Sequence, residues 1–184
     1  PTATTFTYNQ TGANATSANG TAATQNLGGC ITGGCFYDSS GFSAAYSGNL
    51  FFGDYNSGRI VRATLDGGNN ISSVSTFATG AGACIDMTVG PDGDLYYMPY
   101  ATTGIIRKFT YNYASQLLIV TPRNLRIAEG GSGVVCVRLA QAPAANVTVS
   151  VARTAGDTDI TVSGSPLTFT TANWATPQAV TVSA

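Results

Sequence analysis

Gln178-Ala-Val-Thr-Val-Ser-Ala184 alternates apolar and polar side chains, the period of two that sends successive residues to opposite faces of a half-buried strand. The chain stops on that pattern with no turn signal after it. A β-domain written this way is expected either to lack its remaining strands or to take pairing from a neighbouring subunit, because a row of open N–H and C=O groups templates another strand. The same alternation runs upstream through Leu125-Arg-Ile127, Val134-Val-Cys-Val-Arg-Leu139, Val147-Thr-Val-Ser-Val151, Ile160-Thr-Val162 and Leu167-Thr-Phe169. Glu129-Gly-Gly-Ser132, Ala142-Pro-Ala144 and Ala155-Gly-Asp157 punctuate it as turns. Residues 117–184 therefore predict a small antiparallel sandwich.

Residues 28–116 carry shorter apolar runs: Leu50-Phe-Phe52, Arg59 to Leu65, Ser73 to Phe77, Cys84 to Val89, Asp94 to Met98 and Gly104 to Tyr111. Asp66-Gly-Gly68, Gly80-Ala-Gly82 and Pro91-Asp-Gly-Asp94 separate them with turn chemistry. No stretch of ten or more residues keeps a helical period, so the whole chain predicts all-β. Residues 1–27 form a polar Thr/Ser/Asn-rich arm in which Phe6 and Tyr8, alternating with polar neighbours, predict one short strand.

Composition removes several functions. Charged residues make up 9% of the chain, against about 25% in an average soluble protein. Eight basic residues and a net charge of −1 give no footprint for nucleic acid or an anionic membrane. No run approaches the length of a membrane span. With 43% hydrophobic residues the chain is expected to bury a core. Histidine is absent, which removes the commonest general base, the usual partner of a catalytic Ser or Cys, and the usual zinc ligand. No catalytic residue, metal ligand or cofactor is expected. A charge-poor, Thr/Asn-rich chain with four Cys and one Lys reads as extracellular.

Phe36-Tyr37, Tyr46-Ser-Gly-Asn-Leu-Phe-Phe-Gly-Asp-Tyr55 with Gly58-Arg-Ile60, Val89-Gly-Pro-Asp-Gly-Asp-Leu-Tyr-Tyr97 and Gly104-Ile-Ile-Arg107 follow one another in an order that resembles the closing β-propeller blades of soluble, quinone-dependent sugar (glucose/sorbosone) dehydrogenases. The resemblance implies partial propeller-like antiparallel blades over residues 36–111, too few to close a ring. It carries no catalytic residue across. Glu129-Gly-Gly-Ser132, Val137-Arg-Leu139, Ala142 to Val149 and Asn173-Trp-Ala-Thr-Pro-Gln-Ala-Val-Thr-Val182 resemble a Calx-β-like, immunoglobulin-type module of secreted bacterial proteins. That resemblance implies an Ig-like sandwich over 120–184, and both domains are expected to be incomplete.

Asp92-Gly-Asp94 and Asp157-Thr-Asp159 offer paired carboxylates to a calcium ion, but neither has the further acidic residues that complete such a shell, and Asp-Gly fits a turn. Cys30-Ile-Thr-Gly-Gly-Cys35 lacks a second ligand pair for a metal, so a local disulfide across a Gly-rich turn is expected there. Cys84 and Cys136 are expected to cross-link the two domains or to stay buried thiols, and the three pairings that four cysteines allow all stay open. Asn9, Asn14 and Asn19, five residues apart, and Asn70 and Asn146 each open an Asn-X-Ser/Thr sequon, which predicts surface glycans. Phe51, Phe52, Tyr96, Tyr97, Phe109 and Trp174 are expected to pack cores rather than stack sugars.

The leading functional expectation is a non-catalytic, secreted structural protein that self-associates through open β-edges into a fibre or surface layer. The alternatives are a fragment of a secreted quinone-dependent sugar dehydrogenase with a C-terminal Ig-like module, and a carbohydrate-binding or adhesion module.

Overall fold

The computed structural model describes residues 6–7, 14–17, 22–26, 29–100 and 104–184. It is all-β: among the described residues the only helical element is the single 3-10 turn Ala44–Tyr46. The chain groups into two compact units. Pro1–Tyr37, Gly48–Val89 and Leu95–Phe109 form the first; Asp38–Ser47, Gly90–Asp94 and Thr110–Ala184 form the second.

Three short strands, β1 (Phe6–Thr7), β2 (Asn14–Ser17) and β3 (Ala22–Asn26), make an antiparallel sheet where composition suggested a polar arm with one strand. Next come β4 (Ile31–Phe36), β5 (Leu50–Asp54), β6 (Arg59–Leu65) and β7 (Ile71–Ala78), paired in chain order as a four-stranded meander. β8 (Cys84–Val89), β9 (Leu95–Pro99) and β10 (Arg107–Phe109) form a three-stranded meander. Alternation in β5 and β6 divides their side chains between two faces. Phe52, Val61 and Ala63 make a core on one face with Leu50 and Val74. Phe51, on the other, starts an aromatic row: its ring lies 5.0 Å from Phe77, Phe77 lies 5.1 Å from Phe109, and Phe109 stacks on Tyr97 at 5.1 Å. That row packs the two meanders face to face.

The β5–β6 connection shows how a turn is fixed locally. Asp54, 1% exposed, accepts hydrogen bonds from the amides of Gly29 and Cys30 and from the Ser57 hydroxyl, with Arg59 at 3.6 Å. Gly58, at φ +64°, supplies the left-handed residue the turn needs.

In the second unit β11 (Leu118–Thr121), β12 (Ser132–Leu139), β13 (Val147–Val149), β14 (Thr161–Ser163), β15 (Leu167–Phe169) and β16 (Gln178–Ser183) form two sheets. One has the order β11-β12-β16-β14; the other pairs β13 with β15. Val137, Leu139 and Val180 from the larger sheet close on Leu167 and Phe169 from the smaller one. Each such side chain contributes about 1.5–3 kcal/mol by leaving water. Trp174 lies against this core, and its carbonyl accepts the Leu139 amide at 2.9 Å.

The turn Gly90–Asp94 is held within this unit by a buried ion pair. Arg138, 7% exposed, meets Asp94, 1% exposed, at 3.3 Å, and its Nε donates to the Asp92 carbonyl. Thr110 donates its hydroxyl to the second Asp94 oxygen at 2.6 Å. Gly93, at φ +81°, approaches Gly41 so closely that a Cβ on Gly41 would stand 2.1 Å from the Gly93 carbonyl oxygen.

Candidate functional site

An edge strand binds another strand only where its outward N–H and C=O groups are uncovered. β16 is not such an edge. Val135 lies opposite Val180 in β12, Val162 opposite Val182 in β14, and so the final strand sits inside its sheet. This corrects the expectation of an open edge at Gln178–Ala184: the alternation identified a strand correctly, but alternation carries no information on how many neighbours a strand has.

Several other edges are met by side chains and loops. Along β11, Ser40 donates its amide to the Val120 carbonyl at 3.1 Å, the Val120 amide donates to the Ser40 hydroxyl at 2.7 Å, and Ser39 bonds the Thr121 hydroxyl at 2.6 Å. Along β15, the Thr168 carbonyl accepts hydrogen bonds from the side-chain amides of Asn173 and Gln178. β4 is approached by β8: the Thr32 hydroxyl donates to the Cys84 carbonyl at 2.5 Å, and Gly33 lies against the backbone of Ile85 and Asp86.

β7 is the outer strand of its four-stranded sheet, eight residues long. Ile71-Ser-Ser-Val-Ser-Thr-Phe-Ala78 contains no charge and no proline, the residues that usually blunt an edge. Ser72, Ser73, Ser75 and Thr76 are exposed, and Ser72 and Ser73 form a hydroxyl cluster with Thr64. β3 comes close to β7, and among the described residues the two form no ladder. β13 is a second edge, three residues long, with a strand partner on one side only among the described residues.

The carboxylates are engaged in turns. The Asp92 side chain accepts the Asp94 amide, the Asp157 side chain accepts the Asp159 amide, and Asp94 is occupied by Arg138 and Thr110. Among the described residues no three His, Cys, Asp or Glu side chains gather as a metal site. Burial works against the charge on Asp54, yet the hydrogen bonds from Ser57, Cys30 and Gly29, with Arg59 beside them, together hold its carboxyl below the ordinary range.

All four cysteines are free thiols. The expected Cys30–Cys35 bridge does not fit the strand between them: β4 runs extended from Ile31 to Phe36, so the stretch from Ile31 to Cys35 alone spans about 13 Å at the rise of a strand, whereas bridged Cα atoms lie within about 7 Å. Cys84 is buried on β8 in the first unit, and Cys136 is half-buried on β12 in the second.

Of the sequons, Asn9 and Asn19 lie outside the described residues, and Asn14 begins β2. Asn70 closes the β6–β7 turn, its amide bonded to the Asp66 carboxylate, and Asn146 stands exposed just before β13. Phe51, Phe52 and Tyr97 are buried. The exposed aromatic pair is instead Tyr55 and Tyr100, with rings 5.9 Å apart, in turn and loop segments where no periodicity singles them out. An apolar depression of about 180 Å³ lies over Met87, Tyr96, Met98 and Ile106; it is smaller than the roughly 300–1,000 Å³ of small-molecule sites.

Comparison of the chain with family models, with curated proteins and with solved structures gives no match.

Proposed function

We propose that the chain is a non-catalytic, extracellular structural subunit that self-associates through open β-edges into a fibre or surface layer. The observation that carries this reading is β7, an uncharged, eight-residue edge with exposed Ser and Thr side chains. Such an edge offers main-chain hydrogen bonds to an incoming strand, with affinity from the ladder and specificity from alternate side chains. The three-stranded N-terminal sheet, whose β3 lies near β7, is a donor of matching kind. Glycans on exposed sequons such as Asn146 fit the same surface role.

The test is negative-stain microscopy with sedimentation analysis of the protein and of S73E/S75E, which places two charges on the β7 edge. Filaments or sheets from the unchanged chain and dispersed monomers from the variant, with equal melting temperatures, are expected. Monomers from both at high concentration would sink the reading.

A second reading is favoured by strand order. β4-β5-β6-β7 and β8-β9-β10 are consecutive antiparallel meanders, the order used by propeller blades, which supports blade-like sheets followed by an Ig-like sandwich and a fragment of a quinone-dependent sugar dehydrogenase. Aldose oxidation by the longer parent protein, dependent on added quinone and calcium, tests it; absence of oxidation by that parent removes it.

A further inference from the structure

Two thiols in the first unit converge although 49 positions separate them in sequence. Cys35 lies opposite Phe51 in the β4–β5 ladder, and Gly53, two residues further along β5, shares the face of Phe51. Diagonal neighbours on one face of an antiparallel pair stand about 7–8 Å apart at their Cα atoms, less at Cβ. Cys84 occupies the space over Gly53: a Cβ there would meet the Cys84 Cβ at 2.5 Å and its Sγ at 2.9 Å. The glycine thus admits the Cys84 side chain onto the face that carries Cys35. Thr32 holds the strands together at this point, its hydroxyl reaching the carbonyls of both Gly53 and Cys84.

We propose that Cys35 and Cys84 are a disulfide-forming pair whose oxidation staples β4 to β8. The oxidant is a small disulfide such as oxidised glutathione. The half-buried Cys35 reacts first: its thiolate attacks one glutathione sulfur, the S–S bond breaks, and one glutathione thiolate leaves. The buried Cys84 thiolate then attacks the Cys35 sulfur of the mixed disulfide and expels the second glutathione. Two protein thiols lose two electrons and two protons, and one oxidised glutathione becomes two reduced ones. Cys84 is placed to resolve because it is fully buried, within reach of a neighbouring sulfur and closed to a bulky reagent. Burial first, then the nearby Asp86 and Cys84, push the Cys35 thiol up to about 11, and burial also raises Cys84. Only the thiolate attacks, so closure accelerates as pH rises through and beyond the neutral range.

The folded protein is incubated with oxidised glutathione near pH 8.5, the ordinary thiol pKa, alkylated, digested and mapped by mass spectrometry. The expected product has lost about 2 Da, the two thiol hydrogens, and links Cys35 to Cys84. The link persists in Cys30→Ser, whereas Cys84→Ser stops at a glutathione adduct on Cys35. Near-UV circular dichroism establishes that each variant is folded. Mapping of the unsubstituted chain answers the question even where a variant misfolds. A link from either residue to Cys30 or Cys136, or full alkylation of both thiols after the incubation, overturns the proposal.

Discussion

Replacing Arg138 with Met removes the positive half of a buried pair and leaves the Asp94 charge, 1% exposed, with the Thr110 hydroxyl as a remaining partner. At 3.3 Å and an effective dielectric near 20, the attraction between unit charges is about 5 kcal/mol. Desolvation of the two ions cancels much of that gain, so the intact pair contributes little net stability. Breaking it is a different matter, because the carboxylate left without its counter-charge keeps its desolvation cost: about 3–5 kcal/mol. For a chain of this length that corresponds to a fall in Tm of roughly 10 °C. The assay is a double-mutant cycle by thermal melting of R138M, D94N and R138M/D94N. The double variant, with no charge left to bury, is expected to recover more than half the loss of R138M. Arg59→Met serves as the less buried comparison: Arg59 is 31% exposed beside Asp54, which keeps its hydrogen bonds from Gly29, Cys30 and Ser57, so loss of this ion pair costs about 1 kcal/mol or less. Additive single effects, or an R138M loss no larger than that of R59M, would refute the account of Arg138 as the main compensation for the buried Asp94 charge.

Gly41→Ala drives a Cβ to 2.1 Å from the Gly93 carbonyl oxygen, so backbone must shift at a cost of about 1–3 kcal/mol; Gly67→Ala, with nothing within 4 Å, should stay within about 0.5 kcal/mol in the same denaturant titration. Asp54 has its folded pKa depressed, so the stability it contributes is complete above the unfolded value of about 3.9 and disappears as pH falls through the lower folded value. Melting temperatures of the unsubstituted chain and of D54N are therefore expected to differ near neutrality and to converge in strong acid. A gap that stays constant down to acid would remove Asp54 ionisation as its source.

What the sequence made legible was local. Val134 to Leu139 and Gln178 to Ser183 announced strands because a half-buried strand must alternate, and Asp66-Gly-Gly68 announced a turn because its carboxylate satisfies nearby amides. Strand order was not legible, since β16 draws its neighbours from positions as far off as Ser132 and alternation is the same for an edge and a centre. β2 and β3 were hidden for a related reason: a ladder is a main-chain structure, and Asn14–Ser17 and Ala22–Asn26 carry no apolar periodicity to betray it. Asp94 read as a turn residue, and it is one. Its second role depends on Arg138, 44 residues away, a separation no motif spans. The convergence of Cys35 and Cys84 escaped for the same reason, whereas the short spacing of Cys30 and Cys35 misled because nearness along a strand is distance in space.

The placement of β16 between β12 and β14 also sets an order of events. Both flanking strands leave the ribosome before it, and they do not pair with each other. Until β16 inserts, β12 and β14 each present an unpaired inner side, and the insertion closes a loop of some forty residues back to β12, a slow step for a sheet of high contact order. During that interval the nascent unit is open to a strand of another molecule at a place where the finished unit is closed. The docking of β16 is therefore the step that closes the inner sides of β12 and β14 to strands of other molecules.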